Sequence, residues 1–434
     1  MGPLQFIHHH IISALRCLIF IPMFAMFAMP AQGQAAQTSP QMSSGSGPSS
    51  GKAKASVLFD QVSKRADAAR QANQIPEAID LYQKALRLNP RWDEGLWYMG
   101  SLYYDTDHYT EAVPVFRQLV EVSPTYGPGW AMLGLCEFET HDFKNSILHL
   151  QRGRSLGFGG NEELVNVTRY HEAILLNTLA EFEESTQILS SLIGRGVVSE
   201  NVKVALGMAE LRVPLFPNQV DPSKDALIHA AGEVASLVAM NNFDQAEEGF
   251  KQMLKDFPNT PFLHYAYGNT LLTLARFDDA EKQFQEELKI TPDSPFPYMQ
   301  LASLKLRTNR FDEALALAQS AVRIAPNAFP AHYLLGRARL ELGDVPEAIK
   351  ELEIARRLGS YSPEVHYNLA RAYAKAHRKE DAERERKEFA TLNGLEQQKL
   401  GREGPQSYRS SSDRGMLGPR EVNAPAAPPP PHPR

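Results

Sequence analysis

The sequence predicts an all-α fold, a right-handed α-α superhelix built from about nine stacked helix–turn–helix units and interrupted in the middle. Three observations carry that prediction. Ala246-x3-Phe250 and Ala280-x3-Phe284 stand 34 residues apart, and each aromatic is followed eight residues later by a proline, Pro258 and Pro292. The same frame continues through Ala314 with Pro326, then Ala348 and Ala382. It also occurs earlier, as Ala78-x3-Tyr82 with Pro90 and Ala112-x3-Phe116 with Pro124. A period of this length is one supersecondary unit repeated, each copy burying its apolar face against the next. Such a solenoid presents a long groove to partners.

The segments follow in order. Residues 1–35 have the layout of a secretory signal: a weakly basic start ending at Arg16, an apolar run over residues 17–29, and small residues at Gly33 and Ala35 before a cleavage point. The competing reading is an uncleaved anchor over residues 11–31; Arg16 and Pro22 inside that span argue against it. The chain is therefore expected to be exported, periplasmic or secreted, and to meet a membrane only if that segment is retained. Residues 36–54, rich in Ser, Gly, Pro and Gln, read as a flexible linker. Residues 393–434 read as a disordered tail that closes on a proline run.

Between the ends, units begin at Phe59, Asp93 and Gly127, and again at Leu227, Pro261, Pro295, Phe329 and Pro363. Residues 55–196 form an N-terminal block and residues 227–392 a C-terminal block. Residues 197–226 between them hold one helix of the first type, with Gly207 as its small residue. That helix lacks the second helix of its unit, because three prolines in residues 213–222 oppose helix there.

Each recurrent residue has a physical task. Gly100, Gly134, Gly268 and Gly336 stand inside helices, where glycine costs about 1 kcal/mol relative to alanine, a cost offset where a neighbouring helix must come close. Ala302 and Ala370 keep the same place small. The alanines of the second helix alternate with Tyr82, Phe116, Phe250 and Phe284 one turn on, which gives a buried seam of small and large side chains. The prolines close the second helix.

These units resemble tetratricopeptide repeats, whose pattern runs W-x2-L-G-x2-Y, then A-x3-F, then P. The unit at Gly127 opens with Trp130, Leu133 and Gly134. The unit at Asp93 reads Leu96, Met99, Gly100, Tyr103, Ala112, Phe116 and Pro124. The unit at Pro261 reads His264, Tyr267, Gly268, Leu271, Ala280, Phe284 and Pro292. The resemblance covers roughly residues 55–390. It implies that the first helix of each unit lines a concave face.

Carried over residue by residue, the resemblance places Trp97, Tyr98, Ser101, Tyr104, Met132, Leu135 and Phe138 on that face in the first block, an aromatic and apolar strip. In the second block it places Phe262, Tyr265, Asn269, Phe296, Met299, Gln300, Ser303 and Arg307 there. Tyr333, Arg337, Tyr367, Asn368, Arg371 and Lys375 follow. Asn and Arg on such a face can hold a peptide backbone or carboxylate. The lysine-then-asparagine pair of the family's carboxylate-binding members is absent. The implied function is a non-enzymatic protein–protein interaction scaffold with protein or peptide partners. The alternative is a structural subunit of a cell-envelope assembly or polysaccharide-export machine.

The sequence carries no motif for catalysis or a cofactor. The glycines at 157, 159 and 160 lack the GKS/T ending of a phosphate loop, and neither H-E-x-x-H nor G-x-S-x-G occurs. With cysteines only at Cys17 and Cys136, no CxxC can be written. A formal net charge of −6 gives no basis for a nucleic-acid partner. His264, His332 and His366 recur at one position of their units, each before a tyrosine. Helix packing distances of about 8–10 Å against metal–nitrogen bonds of about 2 Å make them packing residues, not a shared metal site.

Overall fold

The computed structural model describes residues 50–359 and 361–403. The signal segment, the alternative anchor at residues 11–31, most of the linker and most of the proline-rich tail lie outside the described residues. Nineteen α-helices and no strand occur among the described residues, and no helix there is long and apolar enough to cross a membrane. The helices fall into two compact units that divide at Glu172 and Ala173, upstream of the proline loop where the sequence placed the join.

The first unit contains α1 (Ser50–Gln71), α2 (Ile75–Leu88), α3 (Asp93–Asp105), α4 (Tyr109–Val122), α5 (Gly127–Glu139), α6 (Phe143–Leu156) and the start of α7 (Glu162–Thr178). The second holds the rest of α7, then α8 (Phe182–Gly194), α9 (Glu200–Glu210), α10 (Asp225–Ala239), α11 (Phe243–Asp256) and α12 (Leu263–Thr273). It continues with α13 (Phe277–Ile290), α14 (Pro295–Arg307), α15 (Phe311–Ile324), α16 (Phe329–Leu342), α17 (Val345–Leu358), α18 (Pro363–Lys375) and α19 (Lys379–Glu403). Within each unit, consecutive helices pack in antiparallel pairs as an α-α superhelix. α1 starts inside the segment read as linker, and α19 runs into the segment read as tail, where Leu, Glu, Gln and Lys favour helix.

The 34-residue frame is visible in the backbone itself. The turn between first and second helix carries one left-handed residue: Asn73, Asp107 and His141 in the first unit, and Asn241, Ala275, Asn309, Gly343 and His377 in the second. After each, an N–H reaches back five residues to a carbonyl at 2.8–2.9 Å, for example His108 to Tyr103 and Asn242 to Leu237. This is the Schellman stop that ends a helix and frees the chain to reverse. Prolines in the first turn, Pro128 in α5 and Pro363 in α18 among them, start helices where a missing N–H costs nothing.

The seam forms as the spacing predicts. Ala78, Tyr82, Ala112, Phe116, Ala280 and Phe284 are fully buried. A Cβ on Gly100 would lie 2.8 Å from the Phe116 ring, one on Gly268 2.6 Å from Phe284, and one on Gly336 2.7 Å from Leu352. Each glycine admits the large side chain of its own second helix.

The half-unit is not left without a partner. α9 ends in the same stop as the other first-type helices, with Arg212 at φ 52° and the Val213 N–H bonded to the Met208 carbonyl at 2.9 Å. After the loop, which has 3-10 turns at Pro217–Gln219 and Pro222–Lys224, the chain returns as α10. That helix covers α9 through Gly207 and Gly232 and then pairs onward with α11 through Val234 and Gly249. Placing glycine on both helices lets α10 serve as second helix to α9 and first helix to α11, so no extra helix is required.

Candidate functional site

In the first unit, burial corrects the expectation of an exposed strip. Tyr98, Ser101, Tyr104, Met132 and Leu135 are all buried. The guanidinium of Arg70 lies 3.8 Å over the Tyr98 ring, and Arg70 also donates to the Tyr82 hydroxyl at 3.0 Å. Trp97 is half-buried and packs edge-on against Phe116 and Tyr126, with centroids 6.1 and 5.5 Å away. Phe138, also half-buried, meets His171 at 4.7 Å and Phe143 at 5.5 Å. These side chains join neighbouring repeats to one another.

In the second unit the inner helices carry two clusters. The first gathers Phe262 just before α12, Tyr265 of α12, Phe296 of α14 and Phe182 of α8 around one cation that the sequence reading missed, Arg212. Its guanidinium carbon lies 3.5 Å from the Phe296 centroid, 5.2 Å from Tyr265, 5.4 Å from Phe262 and 5.5 Å from Phe182. Arg212 also forms an ion pair with Glu183. Tyr265 is buried, as is Met299 nearby, while Gln300 donates to the Asn269 side-chain oxygen at 2.9 Å. Glu287 accepts from the backbone N–H groups of Phe262 at 2.7 Å and Tyr265 at 3.2 Å, which satisfies the first turn of α12 with a carboxylate. The one sequence clue to Arg212 is its turn position, otherwise held by Asn, Asp, His, Ala or Gly.

The second cluster lies on α16 and α18. Tyr333 and Asn368 are buried, with the Asn368 amide donating to the Tyr333 hydroxyl at 3.2 Å. Burial raises the Tyr333 phenol, opposed by the charge and hydrogen bond of Arg337. Arg371 donates to the Asn368 oxygen at 3.0 Å and to Glu341 at 2.9 Å, and the bond to Glu341 holds that carboxyl below the usual carboxylate range. Tyr367 is 50% exposed, with Phe389 at 5.6 Å beneath it and the Arg371 guanidinium 5.8 Å from its ring. Lys375 is exposed and donates to the Leu340 carbonyl at 3.3 Å. Arg307 is exposed, its guanidinium 4.9 Å from the Phe277 ring.

The expectation of exposure thus fails at Tyr98, Ser101, Tyr104, Met132, Leu135, Tyr265, Met299, Ser303, Tyr333 and Asn368. First helices of alternate elements also touch one another, α14 with α16 and α16 with α18, so a position aimed sideways along the inner face is covered by the next inner helix.

The recurrent histidines pack against second-helix partners. His264 meets Gln283, His332 meets Glu351 and His366 meets Glu385, each through Nδ1 at 2.7 Å. Among the described residues no group of His, Cys, Asp or Glu is arranged to hold a metal ion. Cys136 is buried, and burial pushes its thiol well above its ordinary value, leaving it a poor nucleophile.

Residues 63–126, 233–295, 299–363 and 333–385 match the model of the tetratricopeptide repeat. The chain belongs to the tetratricopeptide repeat family. Members of that family are typically non-catalytic protein-interaction modules, and no enzymatic family is indicated for this tetratricopeptide repeat protein. Over 106 residues it is 26% identical to the heat-shock protein cognate co-chaperone sgt12 of Aspergillus fumigatus, covering 24% of this chain and 31% of that protein, so it spans about a third of the relative's length. Similar solved structures include MamA from Desulfovibrio magneticus RS-1, at 21% identity and TM-score 0.34, covering 39% of this chain and 94% of that one. Yeast Tom70 is similar at 15% identity and TM-score 0.32, covering 78% of this chain and 85% of that one.

Proposed function

We propose that this tetratricopeptide repeat protein is a non-enzymatic scaffold that captures peptide segments or partner proteins along the inner helices of its second unit. The observation that carries the reading is a stripe on α18. Tyr367, Arg371 and Lys375 follow at i, i+4 and i+8 on one helix face, and the aromatic ring stays half in water beside the Arg371 guanidinium, with Lys375 one turn further along. A rigid ring in line with a guanidinium and then an ammonium group can anchor an apolar side chain while the cations hold a backbone carbonyl or carboxylate. Support also comes from the co-chaperone to which part of the chain is similar.

A photoreactive amino acid at position 367 of the full chain tests the reading. Crosslinks to partner proteins should form there and be absent from the same probe at Leu148, which is 55% exposed on a second helix. Equal labelling at both positions would remove the groove from the argument.

Export is a further part of the proposal, supported by the order of residues 1–36. A reporter fused after Ala36 should leave the cytoplasm; one that stays inside ends that part. Export would also admit the alternative of a structural subunit in an envelope assembly, where partners would dock on the outer helices and the Leu148 probe would label instead.

A further inference from the structure

Arg212 is an unusual residue for its place. It occupies the left-handed turn that ends a first-type helix, with φ 52°, a conformation Gly or Asn adopts at little cost and Arg does not. Its side chain is only 5% exposed. A second residue of the same cluster is also left-handed: Phe262, with φ 67°. The residues before α3, α5, α14, α16 and α18 are instead extended. Buried Glu287 holds the backbone of Phe262 and Tyr265 in place. The left-handed Phe262, fixed by a carboxylate from another helix, builds a wall of the cluster through bonds that do not involve Arg212.

Four aromatic rings and a carboxylate around one guanidinium are the parts with which proteins recognise a cationic side chain. The segment carrying Arg212 onward, residues 213–224, is exposed or half-exposed throughout, and within it Val213 and Val220 rest on the core. It is a surface strap with its charged end pushed into the cage.

We propose that Phe182, Phe262, Tyr265 and Phe296 with Glu183 form a guanidinium site of the groove, filled by Arg212 as an internal ligand, and that an arginine of a partner peptide replaces Arg212 when the strap lifts. The inference rests on the proposed groove function and adds the chemistry of the partner, a segment presenting arginine. The planar guanidinium stacks on Phe296 while it pairs with Glu183, a combination the ammonium of lysine cannot reproduce. Burial pushes the Glu210 carboxyl up to about 7, against the pull of Arg212 and with the push of Glu183, so a second acid adjoins the cage.

The test uses the full chain with Arg212→Gly, because glycine accepts this φ and empties the cage without straining the turn. Arg212→Asn is the second variant, for the same reason. N-acetyl-arginine N-methylamide is titrated by calorimetry, with its citrulline counterpart as the neutral control. Arginine should bind the variants about tenfold or more tighter than the parent chain, citrulline should not, and adding Phe296→Ala should remove the gain. Folded variants that bind arginine no tighter than the parent, or bind citrulline equally, overturn the proposal. So does failure of both variants to fold, since a replaceable ligand cannot be indispensable to the fold. The crosslinking at position 367 is read separately, so the groove and the cage fail independently.

Discussion

Gly207 of α9 and Gly232 of α10 meet backbone against backbone. A Cβ on Gly207 would lie 2.7 Å from the Gly232 nitrogen and 2.3 Å from the Ile228 carbonyl oxygen, and one on Gly232 would lie 2.3 Å from the Lys203 oxygen. At Gly100 and Gly268 the glycine of the first helix faces the ring of a second-helix phenylalanine, which can shift; here both sides are main chain. This contact lets a half-repeat join the solenoid without a second helix of its own.

Gly207→Ala should therefore destabilise the chain despite alanine's better helix propensity. Overpacking costs about 1–3 kcal/mol and the propensity gain is about 1 kcal/mol, so a net loss of about 1 kcal/mol in urea denaturation is expected. Gly194→Ala, where a Cβ would meet nothing within 4 Å, should be neutral or stabilising. Equal effects at the two sites would mean that α9 and α10 can separate freely.

Glu287 is fully buried and accepts from two backbone donors at the start of α12. Glu287→Ala leaves those donors unsatisfied and should cost about 2–3 kcal/mol. The same substitution should speed amide hydrogen exchange at Phe262 and Tyr265 before it speeds exchange in α13. A uniform increase along both helices would show that the carboxylate stabilises the pair as a whole and does not fix Phe262.

The raised Glu210 carboxyl makes stability depend on pH. Its folded pKa of about 7 lies above the unfolded value of about 4.3, so its favourable contribution is present below the unfolded value and is lost as pH rises through 7. Glu210→Gln should raise stability at pH 8 by on the order of 1–3 kcal/mol and change little at pH 5. Denaturation curves at the two pH values decide it. A difference that does not vary with pH would mean the carboxyl ionises normally.

Both ring nitrogens of His332 face acceptors, Nδ1 the Glu351 carboxylate at 2.7 Å and Nε2 the Pro326 carbonyl at 2.8 Å. Burial pulls this imidazole pKa down, but Glu351 and the carbonyl outweigh it and hold the pKa above 6.5. Its stabilisation is thus fully present below 6.5 and is lost as pH climbs through the raised value. In an NMR titration, Glu351→Gln should bring the His332 midpoint below 6.5, because burial then lacks its main opponent. An unchanged midpoint would assign the shift to other charges.

Much of the fold was legible because it is local chemistry repeated. Ala78 with Tyr82, or Gly268 with Phe284, can be read from spacing alone, since a helix turns side chains three or four apart onto one face. Burial along the inner face was less legible. Tyr104 and Met132 occupy positions that the family pattern assigns to the groove, and they are nonetheless covered. The pattern specifies where a side chain points within its own helix; which neighbour lies over it depends on how successive inner helices come together. The partners of the recurrent histidines, Gln283, Glu351 and Glu385, each lie 19 residues on in the following helix and so share the same 34-residue frame, a pairing that the histidine positions alone do not reveal.

By itself the sequence determined the unit, its period, the helices and the turns between them, because each depends on side chains and backbone groups within a single repeat. Tertiary structure alone decided what became of the break. Only folding brings Gly207 against Gly232, sets Arg212 among rings from three other helices, and leaves Tyr367 half in water while Tyr333 is covered. Those outcomes depend on non-local packing, in which backbone approach and desolvation of charge are settled between segments whose spacing follows no repeat.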